Sequence, residues 1–373
     1  MRGLTSAGNH SAGMGSSGAG LGVVCVVLSL VACTGFDGAG MDDGSVVAGP
    51  ITTAELPPML GGRYTLDPGQ DVVGELQVMR ARYEDTFVDI ARTYGLGYGD
   101  LVAANPEVDP WLPGADTLVV LPTRYILPQA PREGLVLNIA AKRLFYYPEV
   151  ARGEPPVVET YPIGIGRTGW ATPTGDTTVV AKARDPIWYV PASVRREHLE
   201  DGDPLPKQVP PGPGNPLGRH VLALGLPGYL IHGTNKPAGV GMRVSHGCVR
   251  LFPEDIESLY ARVAIGTRVR IVNQPYLYGW HKGDLLLEAH RPLEEDQRDW
   301  PATLLAQARA ALVEQQGDYF ILAEDRIGAI AAAAHGFPVS VISRRPDTRV
   351  AVRSARRVVN IVAYDRMADR TVD

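Results

Sequence analysis

The sequence predicts a mainly β protein. A sandwich- or barrel-like body braced by one helix is preceded by a small βααβ module and followed by a small α+β appendage. Three observations carry this. Short β-type runs recur between residues 132 and 274, separated by Gly/Pro turns. Gly (42) and Pro (31) are abundant, which favours loops and short strands over long helices. Hydrophobic content is 45% and charged content 21%, an ordinary globular balance in a 373-residue chain long enough for two or three domains. The net charge of −5 argues against nucleic acid as a partner.

At the N-terminus, Cys25 lies in the apolar run Leu21–Val31, too short to span a bilayer comfortably but suited to a signal-peptide core. Directly after it, Leu30-Val31-Ala32-Cys33 resembles a bacterial lipoprotein box, whose cysteine is lipidated and becomes the new N-terminus. Residues 1–32 are therefore expected to be a lipoprotein signal peptide. Residues 33–74 are expected to be a lipidated N-terminus and flexible tether, Gly-, Asp- and Ser-rich to about 60. The resemblance implies a periplasmic protein held to an envelope membrane by the lipid. With Cys25 removed and Cys33 lipidated, Cys248 is left as the single free thiol, and an unpaired cysteine in an exported protein is a candidate reactive group.

Residues 75–124 form the small module. Phe87, Ile90, Ala91 and Tyr94 lie at helix spacing, with Asp85 or Thr86 to cap the start and Gly95 to end it. A second short helix fits Asp100–Asn105, and strands fit near Gln77–Met79 and up to Leu121. Glu84-Asp85-Thr86, Ile90-Ala91, Tyr94-Gly95, Asp100-Leu101, Ala104-Asn105 and Leu112-Pro113-Gly114 resemble a LysM domain, which implies binding to peptidoglycan glycan strands. Glu84 stands where that family usually has glycine.

In the body, 130–275, strands are expected at 135–139, 143–147, 158–164, 177–182, 220–224, 229–232 and 267–272. The loop Pro204–Gly218 is too Pro-rich for regular structure and could cover a cleft. Pro253 suits a first helical position, Glu254 and Asp255 suit the positive helix end, and Ile256, Leu259, Tyr260 and Val263 share a face. In the appendage, 276–373, helices are expected at 300–313 and 323–335. Strands are expected at 285–290, 339–342, 350–352 and 358–362, in a unit that folds independently of the body.

The chemistry concentrates in His232–Cys248. A nucleophilic thiol needs a base and donors for the oxyanion that forms next. His246 is two residues from Cys248, and His232 is far enough upstream for a chain reversal to return it; either could serve. Gly247 allows close backbone approach, and the amides of His246, Gly247 and Cys248 could converge on one oxyanion. A zinc site from His232, His246 and Cys248 lacks any C-x-x-C or H-E-x-x-H support, so no metal or other cofactor is expected.

His232-Gly-Thr-Asn-Lys-Pro237, Arg243-Val-Ser-His-Gly-Cys-Val-Arg-Leu251 and the helix from Pro253 resemble the L,D-transpeptidases with a YkuD catalytic domain, most closely the ErfK/YbiS/YcfS/YnhG group. Tyr161–Gly166, Thr172–Gly175, Asp185–Trp188, Asn215–Gly218 and Asn273–Pro275 extend the resemblance. It implies Cys248 as nucleophile and His232 as base oriented by the Gly233 carbonyl, with His246 and Gly247 shaping the oxyanion hole. Arg250 stands where many members have asparagine. It and Arg243 are open as carboxylate binders, with Ser245, Thr234 and Asn235 as further substrate contacts. The resemblance implies attack on the third residue of a peptidoglycan tetrapeptide stem, loss of D-Ala, and transfer to a second stem peptide or an envelope lipoprotein. Hydrolysis by the same fold, and a non-catalytic wall-binding lipoprotein, are the competing readings.

Overall fold

The computed structural model describes residues 62–314 and 321–364. The predicted signal peptide, Cys33 and the tether as far as residue 61 lie outside the described residues. Among the described residues, no helix is long and apolar enough to cross a membrane.

The body is built on a nine-stranded mixed sheet. Its order is Arg63–Thr65, Val157–Pro162, Arg143–Tyr147, Gly134–Asn138, Arg268–Val272, Gly175–Arg184, His220–Leu224, Leu230–His232 and Val249–Arg250. Two of its pairings are parallel: Gly134–Asn138 with Arg268–Val272, and Leu230–His232 with Val249–Arg250. Gly134–Asn138, Arg143–Tyr147 and Val157–Pro162 are buried along almost their whole length because both faces are covered, whereas Gly175–Arg184 is largely exposed. Leu135, Leu137, Leu144 and Tyr146 point into a core shared with Ile256 and Leu259 of the bracing helix, Pro253–Arg262. Val136, Phe145, Tyr147 and Val158 point the other way and pack on Phe87, Ile90 and Leu101 of the N-terminal module. Each of those three module side chains is fully buried, a contribution of about 1.5–3 kcal/mol apiece.

The module is βααβ, as its periodicity predicts. Gln77–Arg80 and Leu118–Leu121 pair antiparallel around helices Phe87–Thr93 and Tyr98–Ala104. Thr86 caps the first helix through Oγ1, which accepts from the Asp89 amide. The buried pair Arg143–Asp100 (3.0 Å) and the pair Arg92–Glu254 (2.9 Å) join module to body. The backbones meet at glycines: a Cβ on Gly241 would lie 2.3 Å from the Cα of Gly97. The Tyr98 amide donates to the Val240 carbonyl at 3.2 Å, inside the His232–Cys248 segment.

Five expectations are corrected. The tether does not extend to 74: Arg63–Thr65 is an edge strand of the main sheet, and Val72–Gly74 pairs with Arg124–Ile126. The appendage is not independent. Its sheet (Tyr276–His281, Asp284–Ala289, Val339–Ser340) and its helices share one core with Leu76, Val78 and Val120 of the module. Arg356–Arg357 then adds a parallel strand beside Gln77–Val78, and the strand expected at 358–362 does not form. Val350–Val352 is helical, within Thr348–Arg353, because the Asp347 carboxylate caps the Val350 amide at 3.0 Å and outweighs β-branched propensity. Pro204–Gly218 contains a short strand, Gln208–Val209, paired with Trp188–Tyr189; with a helix just upstream, Ala192–Glu200, that the sequence reading did not anticipate, it makes up one excursion over residues 185–219.

Candidate active site

The main sheet ends at the site. Leu230–His232 is held antiparallel by His220–Leu224 and parallel by Val249–Arg250, with Ile231 opposite Val249 and His232 opposite Arg250. Ile231 and Val249 face the core. Strand alternation therefore puts His232, Arg250 and the preceding Cys248 on the opposite face. One strand spacing across and two residues along separate the Cβ atoms of His232 and Cys248 by roughly 8 Å, which an imidazole and a thiol turned toward each other span.

His232 is 3% exposed. Its Nδ1 lies 2.6 Å from the Gly233 carbonyl oxygen, which can only accept, so Nδ1 carries the hydrogen and Nε2 keeps its lone pair. Burial, and then the charge of Arg250, lower its pKa to about 3; the Gly233 and Leu217 carbonyls push weakly the other way. The ring is neutral at any ordinary pH. Cys248 is half-buried, and its thiol donates to the Gly228 carbonyl at 3.6 Å. Burial raises the thiol pKa, while the Leu230 amide and Arg250 pull it down. At rest the site holds a neutral thiol and a neutral imidazole rather than a preformed ion pair. Such a pair works by general-base transfer during attack.

The turn before the cysteine is fixed by side chains. Ser245 Oγ donates to the Cys248 carbonyl at 2.5 Å and accepts from the Gly247 amide at 3.2 Å. Thr172 Oγ1 donates to the Gly247 carbonyl at 2.8 Å and accepts from Gly166 at 3.0 Å. Gly247 has φ +101°, and a Cβ there would meet the Tyr229 ring at 2.9 Å, so glycine is required. Its amide is turned to Ser245 and not into the site, which leaves it out of the expected set of oxyanion donors. Thr172 had no assigned role in the sequence; its signal was membership of the Thr172–Gly175 stretch that extends the family resemblance.

His246 is engaged by other side chains. Its Nε2 lies 3.1 Å from Glu197 Oε2 and 3.1 Å from Arg167 Nη2, and its ring stands edge-on to Trp170 at 4.9 Å. Arg167 and Glu197 also pair with each other. Burial and Arg167 lower the His246 pKa, with Glu197 opposing. Glu197 comes from the unanticipated helix, so His246 fastens the 185–219 excursion beside the site. Nothing in the Pro-bounded local sequence flagged Glu197 as its partner.

The expected substrate contacts divide. Arg243 is engaged by Glu295 at 2.8 and 2.9 Å and by the Gly166 carbonyl at 3.2 Å, so it ties the appendage to the segment and is not an open carboxylate binder. Ser245 is buried in the turn. Thr234 Oγ1 accepts from the Lys236 amide at 2.9 Å. Asn235 is exposed. Arg250 has no carboxylate partner among the described residues, and its Nε is buried without a hydrogen-bond partner.

A mainly β domain that sets one free thiol and one neutral, carbonyl-tethered imidazole on the same face of paired strands has the form of a cysteine acyl-transfer enzyme. Comparison with known proteins gives the class. Residues 132–271 match the L,D-transpeptidase catalytic domain YkuD. The chain is 44% identical over 220 residues to "Probable L,D-transpeptidase YcfS" of Escherichia coli K12, covering 58% of this chain and 68% of that one. It is 36% identical over 292 residues to "Probable L,D-transpeptidase ErfK/SrfK" of Salmonella typhimurium LT2, covering 76% and 92%. It is 38% identical over 266 residues to "Probable L,D-transpeptidase YbiS" of Escherichia coli K12, covering 69% and 85%. The chain belongs to the L,D-transpeptidase family and is an enzyme of that family.

Proposed function

We propose that Cys248 is the nucleophile and His232 the base of an L,D-transpeptidase acting on peptidoglycan stem peptides. One observation carries this: His232 has Nδ1 tied to Gly233 and Nε2 free, on the face of the paired strands that also presents Cys248. As the thiol leaves Gly228 and attacks the carbonyl of the third stem residue, its proton passes to Nε2. The resulting imidazolium gives that proton to the nitrogen of the departing D-Ala, and a thioester remains. An acceptor amine then attacks the thioester while Nε2 takes the amine's proton, and Cys248 is released as the thiol.

A stem-peptide amine as acceptor gives a crosslink between stems, a lipoprotein lysine gives an anchored protein, and water gives hydrolysis. The N-terminal module is proposed to hold the glycan strand. Exposed Trp111, 6.1 Å from the Tyr98 ring, and exposed Tyr83 offer faces on which sugar rings stack. Anchoring through Cys33 at the periplasmic face of an envelope membrane belongs to the same proposal.

The test is intact-mass measurement after incubation with a carbapenem. Wild type is expected to gain one acyl adduct, and Cys248→Ala none. An adduct on Cys248→Ala, or none on wild type, overturns the assignment. Muropeptide products with and without added acceptor amine then separate transfer from hydrolysis.

A further inference from the structure

Four arginines around the catalytic segment have anionic partners. Arg243 pairs with Glu295, Arg167 with Glu197, Arg92 with Glu254 and Arg262 with Glu159. Arg250 has none among the described residues, although its Nε is fully buried and unpartnered. It stands opposite His232 in the strand register and two residues past Cys248, with Gly164 bridged to its other side. Holding a half-buried guanidinium without a counter-charge is costly, and a site that keeps one is built to receive the charge from its ligand.

The position indicates which charge. If His232 protonates the departing nitrogen, the leaving residue lies on the His232 side of the thioester, and Arg250 flanks that side. The terminal carboxylate of a one-residue leaving group is two bonds from the departing nitrogen. We propose that Arg250 is the specificity-determining residue of the donor site, pairing with the α-carboxylate of the departing residue and so requiring that residue to be the last of the peptide. The inference rests on the reading of Cys248 and His232 above. It has a second consequence. Arg250 is the charged side chain that acts on the His232 ring and weakens it as a base. A carboxylate docked on Arg250 cancels that field, so the correct donor strengthens the base that activates the thiol against it.

The experiment compares a donor tetrapeptide ending in free D-Ala with the same peptide ending in D-Ala amide, and with a peptide one residue longer. Release of the leaving group from full-length protein is measured for wild type, Arg250→Gln and Arg250→Lys. Wild type is expected to favour the free acid by roughly 10–150-fold, the range for a charge-assisted hydrogen-bonded pair. Arg250→Gln is expected to process acid and amide at one low rate, with Arg250→Lys restoring part of the preference. In Arg250→Gln the acidic limb of the pH profile with the amide donor moves to higher pH, because the free ring loses a repelling charge; a residue that only supports the fold would not move it. Equal wild-type rates on acid and amide, or an intact preference in folded Arg250→Gln, overturn the proposal. Release that persists in Cys248→Ala overturns the underlying catalytic reading instead.

Discussion

The two histidines of the catalytic segment sit in unlike surroundings, and the contrast shows how this fold assigns roles. His246 is two residues from the thiol in sequence, yet its ring is spent on Glu197, Arg167 and Trp170. His232 is far in sequence, yet a parallel strand pairing lays it on the thiol's face with one nitrogen tethered and the other free. In the proposed mechanism strand register, and not sequence proximity, selects the histidine that acts on the sulfur.

Substitution tests that contrast most severely. His232→Ala is expected to slow Cys248 acylation by about 10²–10⁴-fold, the usual span for a general base, whereas His246→Ala slows it by less than about tenfold. Time-resolved intact mass with a carbapenem reads both, and the reverse ranking would exchange the two roles. The next effect is on stability. Below pH 6.5 an unfolded imidazole takes up a proton, but the buried His232 ring does not until about pH 3. The unfolded state therefore binds more protons in that window, and this group's contribution falls as pH falls. Between pH 6.5 and 4.5, wild type is expected to lose about 2 kcal/mol more than His232→Asn, since the slope rises toward 1.36 kcal/mol per pH unit only below the unfolded pKa. Urea unfolding at both pH values measures the difference.

Smaller effects sharpen the other side. Glu197→Gln frees the excursion from His246 and is expected to raise KM up to about tenfold with kcat nearly unchanged, since it removes positioning and no reacting group. Arg243→Gln should cost about 0.2–1 kcal/mol of stability, as partly exposed pairs do, and leave acylation as it was. A large acylation defect in Arg243→Gln would return that residue to the substrate site.

The local signals in the sequence were reliable where short-range chemistry decides. Thr86 begins a helix, Gly95 follows its end in a left-handed turn (φ +62°), and Pro253 opens the bracing helix. They failed where distant contacts decide. Arg63–Thr65 reads as linker because three residues carry no period, and it becomes a strand only because Val157–Glu159 presents an open edge. Helix Ala192–Glu200 is polar and sits among prolines, so little apolar periodicity reveals it. The thiol, the tethered ring and the required Gly247 were legible as residue types. The occupation of Arg243 by Glu295, of the Gly247 amide by Ser245, and the isolation of Arg250 were not, because each depends on what the completed fold leaves next to them.

The strand Arg356–Arg357, lying along Gln77–Val78, has a consequence for how the molecule is made. The module waits for residues far downstream of it before its three-stranded sheet is complete. Loop closure on that scale is among the slowest kinds of folding event. Until it happens the Gln77–Arg80 edge is bare, a template for pairing with another copy, and the nascent chain is most prone to self-association during that interval.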